Sequence, residues 1–325
     1  MRSLWGRVAW GLVGPRWRVA SRGLTGVLLL TVVVLVGGAI AKDPAALDAQ
    51  DYSAYSDLEK PVLSVILSER QNVEKFRVYF GLSDEEVKDV LAAVRKENEA
   101  LAQEYGQSER IVASSRGLPK DQIASKIAAS DYDEEIRAAV AATKRDVTSL
   151  LPGARRADLR SWVDEQWGQQ VQAASTQSAQ ELGPSSTGSR ALRCKVFATQ
   201  YIGYTRYEAA LPHRKLKFGS QPSVTIRRTS GGPDVRPRIK EVGPWNTYDN
   251  YWATGRHRTM WKDLPRCTPE AQAAYYNNYN NGKDENGRKV LNPAGVDLTP
   301  AVARGLGLSK GQNAWVYVRF PWVSR

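Results

Sequence analysis

The chain has 325 residues and carries 46 Lys and Arg against 34 Asp and Glu, a formal net charge of +12. Its length suits two domains better than one. With two histidines, two cysteines and no CxxC pair, it offers no set of ligands for a structural zinc site.

The first 41 residues look like an export segment. Arg2, Arg7, Arg16, Arg18 and Arg22 form a basic leader without acids, and an uncharged apolar run follows from Leu24 to Ala41. It closes on Ala39-Ile40-Ala41, a small-x-small cleavage pattern, yet it is also long enough to span a bilayer as an N-terminal anchor. Either outcome places the remainder outside the membrane, because the basic flank stays inside. Charge then divides the rest: residues 42–182 carry a net −7 and residues 183–325 a net +14. An acidic half joined to a basic half implies parts with different partners.

Residues 42–174 read as a helical bundle. Ser83-Asp84-Glu85-Glu86 is a capping box, and Val87, Val90, Leu91, Val94 and Leu101 continue it as an apolar stripe. Pro61 to Phe80 reads as one or two helices, Pro119 opens another through Ile123 and Ile127, and Ile136, Val140, Val147 and Leu150 mark the next. Leu159, Trp162, Val163, Trp167 and Val171 form the last stripe. These stripes are core faces, and none reads as a cofactor box; no cofactor is expected. Residues 175–190, small and polar with Gly-Pro and Gly-Ser, read as a flexible linker.

After the linker the pattern changes to short β-type runs: Cys194 to Ile202, Ser223 to Arg228, Arg236 to Val242 and Ala314 to Phe320. Pro269 to Asn278 reads as a helix, and Asn277 to Arg288 as a turn-rich loop. Asp284-x-Asn286-Gly287 lacks the rest of a calcium loop and reads as turn chemistry. Cys194 and Cys267 are an even pair in an exported chain, consistent with a disulfide or with two buried thiols.

Three elements carry a family resemblance. His213-Arg214-Lys215-Leu216-Lys217-Phe218-Gly219-Ser220 is similar to a histidine followed by an LPFGT strand start. Glu241-Val242-Gly243-Pro244 stands where the family has Asp-Arg-Gly-Pro. Asp297-Leu298-Thr299, leading into Ala301, Ala303, Leu306 and Gly307, is similar to an Asp-Leu-Ser before an alanine-rich helix. Over about 130 residues, 192–323, the chain thus resembles RlpA-like domains. The resemblance implies an α+β, multidomain protein ending in a six-stranded double-psi β-barrel over 191–325. It also implies wall polysaccharide, peptidoglycan above all, as the substrate class. The departures are Glu241 for aspartate, a shortened segment in which Glu208 is the only acid, and some 50 residues inserted before Asp297.

The catalytic candidates are Asp297, Glu241 and His213. A lytic transglycosylase, an activity the resemblance implies, needs one carboxylic acid with a raised pKa. Val296 and Leu298 give Asp297 an apolar setting; the alternative is that Asp297 caps the helix after it. Hydrolysis with inversion needs a second carboxylate roughly 6.5–9.5 Å away, for which Glu241 is the candidate, while His213 would orient a carboxylate or sugar. Gly243, Trp245, Tyr248, Tyr251 and Trp252 are substrate-binding candidates, since aromatic rings stack on sugar faces. The basic half fits anionic wall polymers. It would also suit nucleic acid, but the leader and the lack of a recognition motif argue against that. The function expected is therefore a cell-envelope protein that binds and cleaves wall glycan; a non-catalytic, expansin-like or structural surface module is the alternative.

Overall fold

The computed structural model describes residues 60–180, 191–201 and 207–324; the expected leader lies outside them. The described residues belong to one compact unit, Leu47–Arg325. The architecture is α+β, with a helical N-terminal part followed by a six-stranded mixed sheet.

The helical part runs α1 (Val62–Ile66), α2 (Arg70–Phe80), α3 (Asp84–Ser114), α4 (Lys120–Ala128), α5 (Tyr132–Leu150) and α6 (Leu159–Gln180). Helix α3 begins where the sequence says it should. Ser83 Oγ accepts the Glu86 amide at 3.3 Å, and the Glu86 carboxylate accepts the Ser83 amide at 2.8 Å. These bonds satisfy amides that a helix start leaves unpaired. With 31 residues, α3 is about 46 Å long at 1.5 Å per residue. It buries Val87, Val90, Val94 and Leu101, and α5 buries Ile136, Val140 and Val147 in the same core. Helix α6 continues to Gln180, so the first six residues expected in the linker are helical; residues 181–190 lie outside the description.

The sheet is built from β1 (Ala191–Gln200), β2 (Glu208–Leu211), β3 (Thr225–Arg228), β4 (Arg238–Val242), β5 (Ala294–Leu298) and β6 (Ala314–Ser324). Its order is β3-β6-β1-β5-β2-β4. Pairs β1/β5 and β2/β4 are parallel, whereas β1/β6, β3/β6 and β2/β5 are antiparallel. No continuous ladder closes β3 onto β4, so the sheet is not a closed barrel. Two isolated bridges, Ser223 to Arg238 and Ile226 to Val235, link the β3 segment to residues at and just before the start of β4. Short helices α7 (Arg214–Phe218), α8 (Glu270–Asn277) and α9 (Pro300–Gly305) fill the connections. The histidine element expected to start a strand forms α7 instead, because the straight-chain run Arg-Lys-Leu-Lys favours helix locally.

Alternation divides the strands between two cores. Val196, Ile226, Ile239, Val296, Val316, Val318 and Phe320 pack within the sheet part. Phe197, Trp315, Tyr275 and Tyr276 instead join the helical core. Trp167 of α6 stacks on Tyr276 at 5.1 Å and meets Tyr275 edge-on at 5.2 Å. The helical and sheet parts thus share apolar packing. Cys194 and Cys267 are disulfide-bonded, tying β1 to the insertion. Closing that 73-residue separation is worth about 4 kcal/mol through chain entropy.

Candidate functional site

Strand register determines which side chains meet. Thr199 of β1 pairs with Asp297 of β5, Asp297 pairs with Ala210 of β2, and Ala210 pairs with Glu241 of β4. Partners in register project from the same face, so Thr199, Asp297, Ala210 and Glu241 form one row across four strands. All four line a cavity of about 660 Å³, inside the range of small-ligand sites. With neighbouring strands about 4.8 Å apart, the Asp297 and Glu241 Cα atoms lie about 10 Å apart across the small Ala210.

Asp297 is buried and receives a hydrogen bond from the Thr199 hydroxyl on Oδ1. Among the described residues no cation pairs with it. Burial pushes its pKa up to about 7 against the lowering effect of Thr199, and the Glu109 carboxylate adds to the rise. The group therefore exchanges its proton near neutrality. Asp297 does not cap α9: Thr299 occupies that cap position, without a side-chain capping bond. Glu241 is ion-paired with Lys217 and lies half-buried at the other end of the row.

The Gly243-Pro244 corner closes over Asp297. Gly243 has φ +137°, a region open to glycine, and a Cβ there would sit 3.6 Å from Asp297 Oδ2. Trp245 follows with φ +61°. Three segments hold it: its amide donates to the Tyr105 hydroxyl at 3.0 Å, its carbonyl accepts Arg288 Nη2 at 2.6 Å, and its indole N–H donates to Asn292 Oδ1 at 3.2 Å.

The opposite wall is α3, which lines the cavity through Asn98, Leu101, Tyr105, Glu109 and Arg110. Asn98 donates to the Gly311 carbonyl at 2.9 Å, and Lys310 meets Glu99 at 3.2 Å. Arg288, fully buried, bonds Asp284 at 2.5 Å, pairs with Glu109 of α3, and lies 4.9 Å above the Tyr105 ring. Asp284 also accepts the amides of Asn286 and Arg288, at 2.9 and 3.0 Å, which closes the Asn-Gly turn.

The expected site residues divide. Asp297, Glu241 and Trp245 line the cavity, with Gly243 beside it. His213 does not line it: the ring is buried beside Trp252, with Nε2 3.3 Å from the Thr259 hydroxyl and its pKa lowered by burial and Lys215. Tyr251 is buried with its hydroxyl on the Gly295 carbonyl at 3.0 Å, and Trp252 stacks on Phe320 at 5.0 Å. Both are core residues, contrary to the expectation of sugar contact. Tyr248 is partly exposed and bridges His213, outside the cavity. Sequence reasoning missed Thr199, Ala210, Tyr105 and Glu109. Tyr105 stands four residues after Leu101, so in the sequence it extends a core stripe.

Residues 192–319 match the sequence model of a family described as a domain of unknown function (DUF8814). No curated protein and no solved structure matches the chain.

Proposed function

We propose that the cavity between α3 and the sheet binds and cleaves a β-linked glycan of the cell wall, with Asp297 as the proton-transferring acid. The observation that carries this reading is a buried carboxyl, without a cation among the described residues and protonatable near pH 7, at the base of a polar and aromatic cavity. A general acid needs that combination of geometry and pKa. In the transglycosylase step, protonated Asp297 gives its proton to the departing glycosidic oxygen as the C1–O bond breaks. The sugar's own 6-hydroxyl then bonds to C1, and its proton returns to the Asp297 carboxylate.

A specific feature favours hydrolysis as the second reading. Glu241, two strands away in the same row, leaves room over Ala210 for a water that it would deprotonate, as an inverting pair requires. The double-psi barrel remains part of this proposal. The two parallel pairs and the Ser223–Arg238 bridge support it, although the strands themselves form an open ladder. Exposed Arg193 and Arg319, opposite each other on β1 and β6, suit an anionic wall polymer as partner. Under this reading the chain is exported by its leader to the cell envelope.

Incubation with purified peptidoglycan and mass analysis of the soluble products tests the proposal. Products ending in 1,6-anhydro sugars support the first reading, and reducing ends support hydrolysis. Sedimentation with the wall without soluble fragments would leave only the non-catalytic binding alternative.

A further inference from the structure

We infer that Tyr105, contributed by the helical part, contacts substrate directly and donates its phenolic hydrogen to the oxygen that Asp297 protonates. This rests on the glycan-cleavage reading and adds to it a working group from outside the sheet. The Tyr105 hydroxyl accepts the Trp245 amide and donates to no group among the described residues, so its hydrogen is available to a ligand. Asp297 Oδ1 is taken by Thr199, whereas Oδ2 has no hydrogen-bond partner among the described residues. The two free positions converge. The point that a Gly243 side chain would fill lies 3.6 Å from Asp297 Oδ2 and 3.8 Å from the Tyr105 oxygen. A side chain at residue 243 would project toward both groups; glycine keeps that space clear, and a ligand oxygen in van der Waals contact with the Gly243 Cα, beyond that point, faces both.

Burial holds the phenol pKa well above 10, with Glu109 adding to the rise, so the group is a donor throughout the working range. Arg288 over the ring and Trp245 edge-on to it at 4.8 Å fix the phenol's direction. A donor aimed where charge develops on a departing oxygen accelerates cleavage by about a hundredfold.

Tyr105→Phe keeps both ring contacts and removes the hydroxyl, and with it the acceptor of the Trp245 amide. The assay measures kcat and KM on soluble uncrosslinked glycan strands, thermal unfolding, and affinity for an N-acetylhexosamine tetrasaccharide in an Asp297→Asn background with and without Tyr105→Phe. The expected result is a kcat lower by about tenfold or more, weaker tetrasaccharide binding and an intact cooperative melt. A purely structural hydroxyl would move the melt and leave kcat and affinity alone; that result overturns the inference while glycan cleavage stands. Should the parent protein cleave but Tyr105→Phe match it in kcat and affinity, the inference again fails by itself. Absence of both cleavage and binding in the parent overturns the glycan reading and this inference with it.

Discussion

The Asp297→Asn substitution isolates the electrostatic claim from any assumption about substrate. The carboxyl titrates near 3.8 in an unfolded chain and at about 7 when folded, raised chiefly by burial. A folded-state pKa above the unfolded one means that the native protein holds a proton the unfolded chain releases. This contribution to stability is fully present below pH 3.8 and is lost progressively as pH rises through 7. At 1.36 kcal/mol per pH unit, the whole interval amounts to about 4 kcal/mol, of which about 3 kcal/mol falls between pH 5 and pH 8.5. Asparagine has the shape of the protonated acid, still accepts the Thr199 hydroxyl, and has no proton to lose. The variant should therefore gain on the parent by about 3 kcal/mol over that range, an increase in melting-temperature difference of about 6–12 °C for a chain of this size. Glu97 and Glu270, pushed up to about 8 and about 9 by burial, destabilise both proteins alike at high pH and cancel in the difference. Calorimetry or denaturant titration of both proteins at the two pH values is sufficient. A stability difference that stays constant between pH 5 and 8.5 would show that Asp297 is not a buried, neutral-range acid, and the proposed chemistry would lose its basis.

Two further outcomes follow from the buried charges and the row of carboxylates. Arg288→Ala leaves Asp284 buried without its cation and releases Glu109, so urea unfolding should show a loss of about 3–5 kcal/mol; a loss under 1 kcal/mol would mean that the pairs contribute no net stability. Glu241→Gln should spare formation of 1,6-anhydro products if Asp297 works alone, and should abolish reducing-end products if Glu241 activates water, which end-group analysis of the fragments distinguishes.

What the sequence disclosed follows from how local each signal is. The capping box and the Val87–Leu101 stripe need only neighbouring residues, and α3 begins and packs as they require. Strand β2, Glu208–Leu211, was invisible because all four residues are buried and Glu-Ala-Ala-Leu carries no alternation. Asp297, Glu241 and Gly243 could be nominated because their short motifs resemble those of RlpA-like domains. The row joining Thr199, Asp297, Ala210 and Glu241 could not, since it exists only once three pairs of strands adopt their register. The aromatic cluster after Pro244 shows the reverse failure. Trp245 and Trp252 look alike in sequence, yet one borders the cavity and the other stacks on Phe320, a residue of the last strand.

The composition shift near residue 182 suggested two parts with separate roles, but the packing makes the sheet part dependent on the helices. Phe197, Trp245, Tyr275, Tyr276 and Trp315 all belong to the core that α3 and α6 complete. Five aromatic side chains at 150–250 Å² each represent about 1,000 Å² of burial. If the helices supply even a third of it, about 8 kcal/mol is at stake at 25 cal/mol per Å², as much as the entire stability of an ordinary domain. Removing the helices also strips the Tyr105 hydroxyl from the Trp245 amide and Glu109 from Arg288. Trp245 would then keep a left-handed backbone that costs about 1–3 kcal/mol without one of the bonds that enforce it. Residues 191–325 expressed alone should accordingly give poorly dispersed amide spectra and no cooperative melt. A well-dispersed spectrum with a sharp thermal transition would show that the helices are an accessory, and that the wall of the cavity built by α3 is not needed to form the Asp297 site.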